Sequence, residues 1–305
     1  MAIVKSLSVG NGDLFYIEHD SDNFTIIDCN LPSDRRETIL NELEQSARNK
    51  SIRRFISTHP DEDHIHGIEH IDKAGLCENF YCVQNSIRKY IATPSFLRYS
   101  DLRSHATNAY YIYKDCKRLW MNQSNNERQS AGINILWPDI NDAAFLEELH
   151  YAEKYGCANN ICPIIQYSFP DGAVFLWMGD LEKEFMEEIA EKVNVPRADI
   201  LFAPHHGRSS GRVPKKWLDT IDPQVIVIGE APSEELAYYR SYNTITQNKA
   251  GDIEFDCSRG LVDVRVSSCT YTADFLDNKP AGNRIMPDGT YMWHIGSMRT
   301  HCQPQ

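Results

Sequence analysis

Short apolar runs separated by turn-forming residues dominate the start of the chain. Residues 3–9, 14–18 and 24–28 are rich in β-branched and aromatic side chains, and the segments between them, 10–13 and 20–23, consist of glycine, asparagine, aspartate and serine. This composition is typical of strands joined by tight turns. The sequence therefore begins with three predicted strands.

The hydrophobic period then changes. Ile39, Leu40 and Leu43 fall at helical spacing among charged residues, which predicts a helix over about 33–49, and residues 53–57 return to a strand pattern. Strand, helix and strand in succession indicate a layered α/β fold. Further strands are predicted at 133–137, 161–169, 174–178, 200–203 and 225–228, helices at 142–154 and 181–193, and a hairpin formed by 252–256 and 261–266.

Residues 86–129 differ from their surroundings. They carry a net charge of +5 within a chain of net charge −12, and they contain seven aromatic residues. We interpret them as a mostly helical insertion in a single domain spanning 1–270, followed by an extension, 271–305, of unknown role. Their aromatic side chains could stack the bases of a single strand or a nucleotide. An ordinary solvated helical cap is the competing interpretation.

Charge and composition limit the function classes. An acidic chain of 305 residues does not offer the broadly basic surface that binds duplex DNA. No apolar run approaches the roughly 20 residues of a membrane helix, and no signal peptide is recognisable, so we expect no membrane partner. The nine cysteines form no CxxC pair, which favours reduced thiols and a cytoplasmic protein.

The segment 58–67 concentrates potential metal ligands directly after a predicted strand. Imidazole and carboxylate groups are the ligands that Zn²⁺, Mn²⁺ and Fe²⁺ accept, and a set this large would divide naturally between two ions. An unremarkable polar loop is the alternative. The residues are His59, Asp61, Glu62, Asp63, His64 and His66.

The spacing of these residues resembles the HxHxDH signature of the metallo-β-lactamase superfamily, with Asp61 in place of the second histidine. The resemblance implies a four-layer αββα sandwich. It also implies that His59 and Asp61 hold one metal and that Asp63 and His64 hold a second. His66 has no counterpart among the usual ligands, and it is either a contact of the ligands or of the substrate, or a bystander.

Two later segments match the same family in the expected order. Asp180 follows an apolar strand and Gly179, and it resembles the carboxylate that bridges the two metals. His205 and His206 follow another strand. One of them should be the last ligand, and spacing does not decide which. We favour His205 as the ligand and His206 as the group that stabilises charge or protonates the leaving oxygen.

A narrower resemblance is to the hydrolase domain of ComEC-type DNA-uptake proteins and their soluble relatives. Residues 9–13 (VGNGD) are similar to that branch's VGQGD, residues 159–162 (NNIC) to its NNxS, and residues 204–210 (PHHGRSS) to its HHGS. Cys162 and Arg208 depart from this pattern. The resulting candidate substrate contacts are His66, Asn159, Asn160, Arg208, Ser209 and Ser210.

The resemblance implies hydrolysis by a hydroxide bridging two divalent metals, Zn or Mn, in which Asp63 and Asp180 hold the metals and orient the hydroxide. The branch implies in-line attack on the phosphorus of a phosphodiester, as in a nuclease or phosphodiesterase. Other members of the fold hydrolyse lactones, β-lactams or thioesters, so an acyl hydrolase is an alternative. A non-catalytic module that kept the fold is a second alternative, and an iron enzyme of oxygen chemistry is a third.

Overall fold

The structure, a computed structural model, describes residues 1–231, 237–277, 281–286 and 288–301. The strands within these residues are β1 (Ala2–Ser6), β2 (Phe15–Glu18), β3 (Asn23–Ile27), β4 (Ile52–Ser57), β5 (Asn79–Cys82), β6 (Ala109–Tyr111), β7 (Ile133–Trp137), β8 (Ile164–Ser168), β9 (Val174–Trp177), β10 (Ile200–Phe202), β11 (Val225–Ile228), β12 (Thr244–Thr246), β13 (Ile253–Ser258), β14 (Leu261–Val266), β15 (Arg284–Ile285) and β16 (Tyr291–Arg299). The α-helices are α1 (Arg36–Ser46), α2 (Glu62–Ile65), α3 (Ile68–Lys73), α4 (Pro94–Arg103), α5 (Ala143–Tyr155), α6 (Lys183–Glu188), α7 (Lys215–Ile221) and α8 (Gln247–Ala250).

These strands form two sheets. The first has ten strands in the order β15-β16-β14-β13-β1-β2-β3-β4-β5-β6, and the second has six in the order β12-β11-β10-β9-β8-β7. Strands β3 to β6 run parallel to one another, as do β9 to β12. Strand β1 pairs antiparallel with β13, so the beginning of the chain is joined to its last third inside one sheet.

Aromatic side chains fill the space between the sheets. Phe15 of the first sheet packs edge-on against Phe202 of the second, with ring centroids 4.8 Å apart. Strand side chains alternate between faces, so the neighbouring Tyr16 points outward, where its hydroxyl donates to Glu42 of α1 at 2.8 Å. On the outer side of the second sheet, Trp137 of β7 packs edge-on against Phe145 of α5, with ring centroids 6.1 Å apart. The predicted mixed α/β fold with four αββα layers is confirmed.

Local sequence signals explain where the longer helices begin and end. Asp142 lies before α5, and its carboxylate accepts from the backbone N–H of Ala144 at 2.9 Å. The helix ends at Gly156, whose φ of +80° suits glycine. Thr93 caps α4 in the same way through Phe96 N–H at 3.0 Å. The capping residues Thr93 and Asp142 therefore determine where these two helices begin.

Most strands lie where the hydrophobic pattern predicts them, and the differences have local causes. The strand predicted at 161–169 begins only at Ile164, because residues 159–161 form a 3-10 turn. In the basic segment, the predicted helix is α4. The rest of that segment adds β6 in parallel to β5 and then forms turns. The segment therefore extends the first sheet and is less helical than its composition suggested.

Two strands after residue 270, β15 and β16, also join the first sheet. Strand β16 pairs antiparallel with β14 from Leu261↔Arg299 to Val266↔Trp293, so the boundary predicted at 270 does not coincide with a break in the sheet. The eight described cysteines are free thiols, and six of them are buried; Cys302 lies outside the described residues. Across the described ranges, none of the helices is both long and apolar enough to cross a bilayer.

Candidate metal centre

Side chains from five loops meet at one edge of the sandwich. Strands β3 and β4 in the first sheet and β9 and β10 in the second end at this edge. The carboxyl ends of parallel strands are where α/β folds bind ligands. The fifth loop joins the antiparallel strands β1 and β2. Together these loops contribute Asp13, Asp28, His59, Asp61, Asp63, His64, Asp180, His205 and His206.

Two glycines allow these loops to approach closely. A Cβ on Gly12 would lie 2.5 Å from the carbonyl oxygen of Asp63, and the next residue, Asp13, donates its N–H to that same oxygen at 3.1 Å. Gly179 has a φ of +52°, and a Cβ there would lie 3.0 Å from Cβ of Thr58. The loops after β1, β4 and β9 are thus pressed together, which brings Asp13 and Asp180 to the histidine-rich segment.

Four side chains form a compact group that could hold a metal ion. One ligand atom from each of Asp13, His64, Asp180 and His206 lies within 4.8 Å of the others. His64 Nε2 is 3.2 Å from Asp180 Oδ1, and His206 Nδ1 is 3.1 Å from Asp13 Oδ1. Nitrogen and carboxylate oxygen are the donors that suit divalent transition metals.

The hydrogen-bond inventory supports a cation at this place. Buried polar atoms are almost always paired, because an unpaired one costs free energy. Here Nε2 of His59, Nε2 of His64, Nε2 of His206 and Oδ1 of Asp180 are buried and make no hydrogen bond to any described residue. These four atoms are of the kinds that coordinate metals, and metal ions bound between them would explain why they lack hydrogen bonds.

Asp180 lies between two sets of side chains. Its Oδ1 faces His64, and its Oδ2 is 3.9 Å from His206 Nε2. The same Oδ2 is 3.8 Å from His59 Nε2 and 3.7 Å from His205 Nε2. His59 Nε2 is in turn 3.7 Å from Asp61 Oδ2. One carboxylate is thus shared between a set with Asp13, His64 and His206 and a set with His59, Asp61 and His205.

Neighbouring groups orient the histidines. Asp28 Oδ2 lies 2.9 Å from His64 Nδ1, and Asp28 is itself fixed by the backbone N–H of Thr58 at 2.7 Å and its hydroxyl at 2.6 Å. Ser210 Oγ lies 2.9 Å from His205 Nδ1. Contacts of this kind leave the Nε2 atom free to face a metal and hold the ring in place.

The electrostatics of the group follow from burial and close acids. Burial alone would lower the pKa of His64, but Asp180 and Asp28 outweigh it and hold that pKa well above its usual value. For His206 burial is again outweighed, here by Asp13 above all, and the pKa rises to about 10. Burial lowers the pKa of His59. Metal binding would therefore have to displace protons from His64 and His206.

The carboxylates respond in the opposite sense. Burial works against ionisation of Asp63, but His206 and His64 outweigh it and lower its pKa to about 2. Burial is also outweighed at Asp180, where His64 and His206 hold the pKa well below its usual value. Both groups are thus charged in the ordinary pH range, as metal ligands must be.

The predicted metal ligands all lie in this region, in unequal positions. Asp63 Oδ2 is 3.5 Å from His206 Nε2. Asp61 Oδ1 is 3.3 Å from the ammonium of Lys89, so that carboxylate is shared with a cation from the basic segment. Both His205 and His206 reach Asp180. His206, assigned the catalytic role from the sequence, belongs to the compact four-residue group.

The predicted substrate contacts lie around the rim of the group. His66 Nδ1 is 3.1 Å from Asn30 Oδ1. Asn159 and Asn160 donate to Glu182 at 3.3 Å each. Arg208 donates to Asn11, and Ser210 bonds to His205. Ser209 begins the 3-10 turn Ser209–Gly211.

Three residues of the centre were not among the candidates from the sequence. Asp13 closes the VGNGD motif, so that motif could have identified it. Asp28 closes the predicted strand 24–28, and the motif IID at residues 26–28 was its signal in the sequence. Lys89 had no signal in the sequence beyond its charge, since its contact with Asp61 spans 28 residues.

Twelve chains of solved structures are similar to this one, and two of them can be described. One is CmlA, a diiron β-hydroxylase from Streptomyces venezuelae, with 12% identity and a TM-score of 0.43 over 77% of this chain and 45% of that protein. This chain thus spans less than half the length of CmlA. The other is a putative Zn-dependent hydrolase of the metallo-β-lactamase superfamily from Thermotoga maritima, with 11% identity and a TM-score of 0.30 over 77% of this chain and 79% of that one. No protein-family model and no curated protein matches the sequence.

Proposed function

We propose that this chain is a metal-dependent hydrolase whose centre is built around Asp180. The observation that carries the proposal is the convergence of four buried, unsatisfied donor atoms from three separate loops. A core that merely needed polar residues would satisfy all of these atoms with hydrogen bonds, whereas even the nearest two, His64 Nε2 and Asp180 Oδ1 at 3.2 Å, do not have hydrogen-bond geometry. Their donor types fit divalent ions of the Zn or Mn class.

Each residue of the centre would have a distinct role. Asp13, His64 and His206 would hold one ion, His59, Asp61 and His205 a second, and Asp180 would be shared between them. Divalent ions in such a site acidify water and neutralise negative charge that develops on the substrate. Asp28 would keep His64 oriented, and Asp63, charged and 3.5 Å from His206 Nε2, would add a carboxylate beside the first ion.

We propose a phosphodiester as the substrate. Lys89 and Arg208 bring positive charge to the rim of an otherwise acidic centre, and cationic side chains at that place suit the nonbridging oxygens of a phosphate. A cavity of about 270 Å³ beside Asp61 is lined by Glu148, Glu182, Asn159 and Asn160. Its carboxylates repel a long polyanion, which favours a small phosphodiester or nucleotide over extended nucleic acid.

The same cavity supports a second candidate. Its carboxylates and amides would accept a polar or cationic group next to a neutral scissile bond. Small acyl compounds such as lactones or thioesters meet this description. The two candidates share the metal centre and differ in the charge of the group attacked.

A substrate panel tests the choice. We would assay the full chain, loaded with Mn²⁺ or Zn²⁺, on bis(p-nitrophenyl) phosphate, cyclic dinucleotides, single-stranded DNA and RNA, a lactone and a thioester. Turnover of phosphodiesters with none of the acyl compounds is expected, and the reverse pattern would select the acyl hydrolase. Turnover of none of them, with metal bound, would contradict both.

A further inference from the structure

A second polar cluster lies at the opposite end of strand β4. Strands β4 and β5 begin there, whereas the metal-centre loops follow their other ends. A cavity of about 370 Å³ separates the inner face of these strands from the turn at 117–120, a size typical of small-molecule sites. We call it the basic cavity. Its principal lining residues are Arg54, Tyr81, Tyr110, Lys117, Arg118 and Trp120.

Arg54 is the unusual member of the basic cavity. Its side chain is 0% exposed, so bulk water does not solvate its charge. It donates to Thr25 Oγ1 at 3.1 Å and to Asn23 Oδ1 at 3.3 Å, but its Nε has no partner. Among the described residues, no carboxylate lies within ion-pair distance of it. A buried guanidinium without a counter-ion is costly, and an anion in the adjoining cavity would offset that charge without touching the guanidinium.

Arg118 and Lys117 add charge of the same sign. Nε of Arg118 is also buried and unpartnered, and neither residue forms an ion pair within the described part of the chain. Burial lowers the pKa of the nearby His19, and the charges of Arg54 and Lys50 lower it further. A local excess of positive charge in a chain of net charge −12 indicates an anionic ligand.

The aromatic residues indicate what the anion is attached to. Tyr81 and Tyr110 stack with ring centroids 4.9 Å apart. Arg54 lies 5.2 Å over the first ring and Arg118 lies 5.8 Å over the second. Trp120 completes the wall, held by a hydrogen bond from its indole N–H to Asn125 at 3.2 Å. Flat rings bind well against such surfaces.

We propose that the basic cavity binds a small anion joined to a flat ring, the class that includes nucleoside monophosphates and aromatic carboxylates. The anion pairs with Arg118 and Lys117 and offsets the charge of the buried Arg54 beside them, and the ring packs against Tyr110 and Trp120. Arg54 precedes Thr58 by four residues, about 13 Å along an extended strand. The ligand is therefore held apart from the metal centre, and its binding does not depend on the function proposed for that centre.

Calorimetry on the metal-free full chain in EDTA tests the proposal. The probes are adenosine monophosphate, benzoate, inorganic phosphate and adenosine. We expect adenosine monophosphate or benzoate to bind at least tenfold more tightly than phosphate and adenosine. The tighter of the two identifies the anion as phosphate or carboxylate. Arg118→Gln should weaken binding at least tenfold and Lys117→Ala severalfold. Arg88→Ala, which removes an exposed cation of the same segment outside the cavity, should leave it unchanged.

A second variant addresses the buried charge directly. Arg54→Met removes the uncompensated guanidinium, so we expect a thermal midpoint equal to or above that of the parent and no stabilisation by the ligand. If that variant does not fold, Arg118→Gln decides. Absence of binding by all four probes, binding of both adenosine monophosphate and benzoate no tighter than that of phosphate, or binding that Arg118→Gln leaves intact would overturn the proposal.

Discussion

The two ends of strand β4 carry opposite charges. At its carboxyl end, five aspartates and four histidines surround buried atoms that lack partners. At its amino end, three cations line the basic cavity, and no carboxylate within the described residues pairs with them. The strand itself, Ile52–Ser57, is nearly all buried, so each end must satisfy its own charge locally.

The comparison shows how one sheet can support two unlike sites. At the metal end, acids hold the pKa of His64 and His206 high, which means that the protein compensates negative charge with protons until a cation replaces them. At the cavity end, arginine is too basic to lose its proton. Compensation there must come from an external anion. Variants confined to one end therefore separate the two sites.

The largest effect is expected from Asp180→Asn, which replaces the shared carboxylate with a neutral group of the same shape. Both ions should weaken together, and hydrolysis should fall about 1000-fold, since metal ions supply several kcal/mol of transition-state stabilisation. Metal content and turnover are measured on the same samples. Asp219→Asn, an exposed carboxylate paired with Lys215, is the matched control. Loss of only one ion would contradict the shared role.

The same variant tests the separation of the two ends. Asp180→Asn should bind adenosine monophosphate or benzoate as tightly as the parent does, and Arg118→Gln should keep its metal affinity. Cross-effects in either direction would mean that the two sites are coupled through strand β4.

A smaller effect is expected from Asp28→Asn, because Asp28 touches His64 and not the proposed ions. The variant keeps a hydrogen-bond partner for His64 Nδ1 but removes the negative charge behind it. Metal affinity should fall 10–100-fold, measured by competition with a chelator. Asp20→Asn, at an exposed turn, should leave the metal affinity unchanged. If Asp28→Asn bound metal as the parent does, Asp28 would have only a structural role.

The sequence predicted the strand ends of the metal centre better than its internal arrangement. His59, His64 and Asp180 follow strands, and parallel strands bring their ends together, so their convergence could be predicted. The choice between His205 and His206 could not. Both have positive φ, 51° and 56°, so the alternation that holds through Ala203 no longer tells which side each ring faces.

Other parts of the molecule depend on contacts between distant segments. Asp13 joins the centre because Gly12 lets its loop press against Asp63. The VGNGD motif marks this turn, but its spacing does not show which loop the turn contacts. The basic segment was recognised from its charge and aromatic residues. Its composition did not reveal that Arg118 and Trp120 face Arg54, a residue in a strand some sixty positions earlier.

The smallest expected effect is on how the stability of the metal-free protein depends on pH. The pKa of His206 is about 10 in the folded chain against a usual value of 6.5, so its stabilising contribution is fully present below about pH 6.5 and is lost as pH rises towards 10. The urea midpoint in EDTA should therefore fall between pH 7 and pH 10, and the fall should be smaller in His206→Gln. His150→Gln, an exposed histidine, should follow the parent. An equal fall in His206→Gln and the parent would mean that Asp13 and Asp63 do not hold a proton on His206.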